Sequence, residues 1–185
     1  MTKIAVILGS IRPNRAGADV AEWVAAKANT VADVEAQVLD IAAFNLPHFA
    51  EEAAPAFAPA KDPDAIAWNQ ALAGFDAFIF VSPEYNHSVP GALKNAIDFI
   101  TPSILANRAV GLVGYSFSAG HRQIEHLRDI MASFTTGVVR PEVNLHLVSD
   151  FENMSVFKPA AFHDGEVPTM VQAILAQDKA LSSLR

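Results

Sequence analysis

Two arginines, a serine and an asparagine fall within Gly9-Ser10-Ile11-Arg12-Pro13-Asn14-Arg15-Ala16-Gly17, directly ahead of a stretch with helical spacing. That makeup suits an anion. Backbone N–H groups at a helix start carry partial positive charge, and hydroxyl, amide and guanidinium donors can complete a shell around a phosphate dianion. The loop has neither the G-x-G-x-x-G pattern nor G-x-x-x-x-G-K-[ST], so a bound monophosphate fits it better than a pyrophosphate. The plainer alternative, an N-capped helix with exposed arginines, accounts for Asn14 but gives no reason for two arginines beside a glycine-serine turn.

Two further polar stretches follow apolar runs. Ser82-Pro83-Glu84-Tyr85-Asn86 comes after Phe78-Ile79-Phe80-Val81 and before Val89, Leu93, Ala96, Ile97 and Ile100, which recur at helical spacing. Tyr115-Ser116-Phe117-Ser118-Ala119-Gly120-His121-Arg122 follows Ala109-Val110-Gly111-Leu112-Val113-Gly114, and its small residues would let a planar ligand approach the backbone. Tyr85 and the aromatic residues of this third loop could offer a stacking shelf, with simple packing as the alternative. His87 and His121 could donate protons, although neither has an identified partner in the sequence. His121 and Glu125 stand four apart on a helical stretch. Without further ligands at matching spacing they suggest an ion pair, and no metal is expected.

The elements that must position these loops alternate along the chain. Ile4–Leu8 reads as a first strand, and Val20, Ala21, Val24, Ala25 and Ala28 as the buried stripe of a first helix. A weakly alternating stretch ending in Leu39-Asp40-Ile41 is a second strand, followed by an Ala/Pro/Glu-rich surface passage, a lid or a connection, to Pro63. Asp62-Pro63-Asp64 opens a helix that stops at Gly74. Ile124, Leu127, Met131 and Phe134 mark another helix, Val143 to Val148 a fifth strand, and Pro168 the start of a last helix after the loop Ser149 to Glu166. This order predicts an α/β fold: a doubly wound five-stranded parallel sheet, flavodoxin-like in its order 2-1-3-4-5, with helices on both faces. In that order the three loops gather at one crevice outside the carboxyl ends of the strands.

Composition bounds the rest. A chain of 185 residues without a linker is read as one domain, 1–185, and its apolar runs are too short for membrane insertion. With Met1-Thr2-Lys3 leading straight into a strand, a cytoplasmic protein is expected. A formal charge of −7 argues against nucleic acid as a partner, and the lack of cysteine assigns any redox chemistry to a bound cofactor. Ala92 and Phe99 lie off the main stripe of the helix expected over 88–100, as Ile130 lies beside that of the helix over 120–135. Those faces suggest a homodimer or homotetramer.

Taken together, the three loops resemble the NADPH-dependent FMN reductase family, which includes quinone, chromate and some azo reductases. The resemblance spans nearly the whole chain. It rests on Gly9-Ser10-Ile11-Arg12 with Asn14-Arg15-Ala16, and on Ser82-Pro83-Glu84-Tyr85-Asn86 continued by Pro90-Gly91-Ala92-Leu93-Lys94-Asn95-Ala96-Ile97-Asp98. It implies that Ser10, Arg12, Asn14, Arg15 and Ala16 hold the phosphate of FMN. Pro83, Glu84, Tyr85 and Asn86 would line the isoalloxazine ring, largely through backbone groups, with Gly114, Tyr115, Ser116 and Gly120 at its other edge. Many relatives carry a glycine-rich third loop, whereas Tyr115 and Phe117 stand in this one. The implied activity is a ping-pong transfer of hydride from NADPH or NADH to FMN and on to a small-molecule acceptor such as a quinone, free flavin or azo compound. No obligatory catalytic acid or base is assigned. A flavin-binding electron carrier or redox sensor is the alternative on the same fold, and no G-x-S-x-G elbow supports a hydrolase.

Overall fold

The computed structural model describes residues 1–185. Strands β1 (Thr2–Leu8), β3 (Ala77–Pro83) and β4 (Ala109–Ser116) are each built on an apolar run, the latter two buried at every residue, as a strand covered on both faces must be. With β2 (Val34–Asp40) outside β1, the sheet runs β2-β1-β3-β4-β5 and every pairing is parallel. The fifth position is split. β5 (Gly137–Val138) pairs with Ala109 and Val110, whereas β6 (Val143–His146) pairs with Val113 to Ser116 farther along β4. Pro141 lies in the gap, where it has no N–H to give the ladder. The strand expected from Val143 to Val148 therefore ends at His146, and a short partner precedes it.

Alternation along the strands feeds two cores. Val6, Ile79 and Val113 pack with Val20 and Val24 of α1 (Gly17–Ala28) and with Met170 and Ile174 of α6 (Glu166–Leu181). Ile7, Phe80 and Leu112 face α2 (Pro63–Ala73), α3 (Gly91–Asp98) and the short α4 (Pro102–Leu105), with α5 (His121–Ala132) completing that layer. Asp62 caps α2 by accepting from the N–H groups of Asp64 and Ala65, with Pro63 in the first turn. The last helix starts at Glu166, before Pro168, because a first-turn proline removes no intrahelical bond. No helix is long and apolar enough to cross a membrane.

Phe99, one of the residues expected to await a partner, is instead covered by the chain itself. Phe99 is 1% exposed, and its ring meets Phe49 edge-on at 5.0 Å. Asn95 of α3 pins that passage. Its Nδ2 donates to the Pro47 carbonyl at 2.8 Å and its Oδ1 accepts the Phe49 N–H at 2.9 Å. The proline-rich passage after β2 thus packs partly as core. Phe99→Ala should cost ~3–5 kcal/mol in urea unfolding, the usual range for emptying a buried aromatic site. A changed oligomeric state with undiminished stability would contradict this assignment.

Candidate functional site

Three loops leave the carboxyl ends of β1, β3 and β4, where ligands sit in open α/β sheets. After β1, the Gly9 N–H donates to the Val81 carbonyl at 2.9 Å, anchoring the first loop to β3. Ser10 is buried, its Oγ 3.4 Å from the Tyr85 hydroxyl. The N-cap of α1 is Ala16, and no side chain caps the helix. Asn14 is therefore not the cap that the plainer reading required. It sits at φ 53°, a left-handed conformation that asparagine tolerates. The Arg15 guanidinium is held by the Asp40 carboxylate at the end of β2, and its Nε is buried without a hydrogen-bond partner. Arg12 is exposed, its guanidinium carbon 6.0 Å from the centre of the Tyr85 ring.

The loop after β3 closes in a tight turn. Tyr85 and Ser88 exchange backbone hydrogen bonds at 2.9 and 3.1 Å, with Asn86 and His87 at φ 50° and 70°. Positive φ at both central positions is the geometry of a hairpin turn matched to strand twist. Glu84 ties this loop to the next. Its carboxylate accepts from the Ser118 hydroxyl at 2.7 Å and from the Arg122 guanidinium at 2.8 Å. Burial pushes the Glu84 carboxyl up, yet the bonds from Ser118 and Arg122 and the charge of Arg122 outweigh it and hold the group below the usual carboxylate range. The resulting stability is present above pH ~4.5 and is lost as pH falls through the lowered folded value. Glu84→Gln should accordingly flatten the acid limb of the stability profile below that pH, read by urea midpoints from pH 3 to 7. An unchanged limb would contradict the assignment.

In the third loop Ser116 serves the backbone: its Oγ accepts the N–H groups of Ser118 and Gly120 at 3.0 and 2.8 Å. Gly114 and Gly120 lie back to back, since a Cβ on Gly114 would stand 3.0 Å from the Gly120 Cα. Tyr115 differs most from the stacking shelf expected of it. It falls on the same face of β4 as Val113, so its ring is buried towards α1, and a Cβ on Gly17 would meet its hydroxyl at 2.2 Å. Burial and neighbouring Tyr85 push that phenol well above its usual range, against the pull of Arg15 and Arg12. It stays a protonated donor beneath the first loop. Phe117, 64% exposed, is the aromatic residue left at the mouth.

A cavity of about 410 Å³ joins these parts, lined by Ser10, Arg12, Asn14, Arg15 and Ala16 from the first loop, Pro83, Glu84 and Tyr85 from the second, and Tyr115 to Phe117 from the third. Asn86 opens instead on an adjoining cavity of about 330 Å³ that shares Glu84, Ser116 and Phe117 and adds His87, Ser118 and Arg122. The expected His121–Glu125 pair does not form: His121 Nδ1 lies 3.9 Å from Glu142, and Glu125 faces Arg128. Sequence reasoning missed Ser118 and Arg122, and also Leu147, Met154 and Ser155, which complete the first cavity. Ser118 and Arg122 lie in the third loop already singled out, without a role assigned to either, whereas Leu147, Met154 and Ser155 come from a more distant segment.

Comparison with known proteins follows the same lines. A family model described as NADPH-dependent FMN reductase matches residues 2–150. An NAD(P)H-dependent FMN reductase of Nectria sp is 38% identical over 128 residues, covering 66% of this chain and 63% of the relative, so the chain spans less than two thirds of that protein's length. The quinone reductase of Escherichia coli K12 is 29% identical over 153 residues, covering 76% of this chain and 75% of the relative. In fold, the chain is similar to the flavoenzyme NAD(P)H:(acceptor) oxidoreductase FerB of Paracoccus denitrificans, with a TM-score of 0.75 at 22% identity over 96% of this chain and 99% of that one.

Proposed function

We propose, because this chain belongs to the NADPH-dependent FMN reductase family, that it binds FMN in the cavity between its first, second and third loops and passes reducing equivalents from NAD(P)H to a small-molecule acceptor of the quinone class. The observation that carries the reading is the uncapped start of α1 facing Arg12, Arg15 and Ser10 in a cavity that continues between the two other loops. The residues fit a phosphate-bearing planar cofactor. The buried Arg15 Nε lacks a partner, the neutral Tyr115 hydroxyl borders the first loop, and a dianion at the helix start would satisfy such donors.

When bound, FMN supplies the hydride chemistry itself. The chain's residues hold and shape. Arg12 and Arg15 would hold and neutralise the phosphate, while Pro83 to Tyr85 and Ser116 to Phe117 set the width of the slot. Glu84, locked as a carboxylate by Ser118 and Arg122, is unsuited to donate a proton at neutral pH to a ligand at the mouth. Phe117 offers its exposed ring there to a planar donor or acceptor. We infer that donor and acceptor share the place beside Phe117 and take turns there. Initial rates with NADPH and a benzoquinone should therefore give parallel double-reciprocal lines. Intersecting lines would refute the alternation, and FMN retention without any turnover would favour an electron carrier.

A further inference from the structure

Beyond β6 the chain forms a two-stranded antiparallel hairpin outside the main sheet: β7 (Phe151–Glu152) and β8 (Val156–Phe157), with Phe151 opposite Phe157. Its tip reaches the cofactor cavity, where Met154 and Ser155 join Arg12 and Tyr115 in the lining. The family match ends at residue 150, just before the hairpin.

The base of the hairpin is built into the elements that carry the site. Phe157 meets Trp23 of α1 edge-on at 5.5 Å, Phe151 lies 5.2 Å from Phe157, and Phe151 lies 6.1 Å from Tyr115. Asp150, 1% exposed, grips both chain ends. Its carbonyl accepts the Lys158 N–H at 2.8 Å, and its carboxylate accepts the N–H groups of His146 and Ala160 at 2.8 and 3.1 Å. Buried His163 lies beside this carboxylate, its Nε2 3.2 Å away without a hydrogen-bonding geometry, and meets Glu166 through Nδ1 at 2.6 Å.

The tip is the opposite of its base. Asn153 and Met154 occupy φ 50° and 57°, ordinary for asparagine but unfavourable for methionine, where glycine would be free of strain. A flexible thioether side chain is thus held at a costly position on the rim of the cavity, 55% exposed.

We propose that residues 151–157 are a cofactor clamp: Met154 and Ser155 close over FMN and slow its release, while Asp150, backed by His163 and Glu166, fixes the hairpin base. The proposal rests on the FMN reading above. Contacts made only with the bound cofactor change its dissociation rate more than its association rate, so the effect belongs in release.

The test uses FMN-loaded protein mixed rapidly with excess apoflavoprotein as a scavenger, with release followed by flavin fluorescence. Met154→Gly removes the side chain and relieves the turn, so the hairpin is kept while its contact is lost. Release should become about tenfold faster, with association changed by less than about twofold and no fall in thermal midpoint. In the unmodified chain, amides of 152–158 should exchange hydrogen more slowly with FMN bound than without it. If the unmodified protein retains FMN but Met154→Gly releases it at the same rate, or loading leaves exchange at 152–158 unchanged, the clamp is overturned and the cofactor reading stands. If the unmodified protein holds no FMN, the cofactor reading fails and the clamp falls with it.

Discussion

Arg15→Ala should weaken FMN binding by about 100-fold while leaving riboflavin, which lacks the phosphate, within about threefold. Two effects add. A charge-assisted hydrogen bond to a phosphate contributes ~1.5–3 kcal/mol, or roughly one to two decades in affinity. Removing the guanidinium also frees the Asp40 carboxylate, which it now neutralises, to repel the incoming dianion. Arg12→Ala should cost less, because Arg12 is exposed and holds no carboxylate in check. Stability separates binding from folding. The Arg15–Asp40 pair is partly exposed, at 18% and 33% of the two side chains, so its loss should lower stability by less than ~1 kcal/mol. Equilibrium titration of flavin fluorescence gives both affinities. Equal losses for FMN and riboflavin would remove the first loop from the phosphate.

A large effect on stability is also expected at Gly120. Its φ is 73°, and a Cβ there would stand 2.6 Å from the Gly114 Cα and carbonyl carbon and 2.7 Å from the Tyr115 nitrogen. All three are backbone atoms of the central strand β4, so none can step aside as a side-chain tip would. Left-handed strain of ~1–2 kcal/mol and overpacking of ~1–3 kcal/mol make Gly120→Ala cost about 2–5 kcal/mol. A loss of that size is a large fraction of the ~5–15 kcal/mol that holds an ordinary domain folded. It should also disturb the Ser116 hydroxyl, which accepts the Gly120 N–H, and with it the third loop. Gly91→Ala is the control. Nothing lies within 4 Å of a Cβ at Gly91, the first residue of α3, so that variant should match or slightly exceed the parent. Urea unfolding of the pair would show the contrast, and equal midpoints would contradict the packing described for Gly120.

The parts of the molecule legible in its sequence are those with a strong local pattern. β1, β3 and β4 are each built on an apolar run, and their alternation with helical stripes leads to the observed sheet order. The first and second loops stood out because arginines, serine, proline and asparagine cluster at strand ends. What escaped depends on partners far apart in the chain. Phe99 looked unpartnered because Phe49, which covers it, lies in a passage without periodicity. Glu84 meets Arg122 across two loops, a pairing that no spacing announces. Tyr115 read as a loop aromatic, yet β4 continues to Ser116, and strand alternation turns the ring inward. The hairpin after β6 consists of two-residue strands, too short to show any alternation.

The most direct test of the account is the visible spectrum of the FMN-loaded, desalted protein, recorded anaerobically before and after NADPH is added. The account predicts a flavin band that survives desalting and bleaches on addition of NADPH or NADH. A band that survives desalting but responds to neither nucleotide would contradict the proposed reductase.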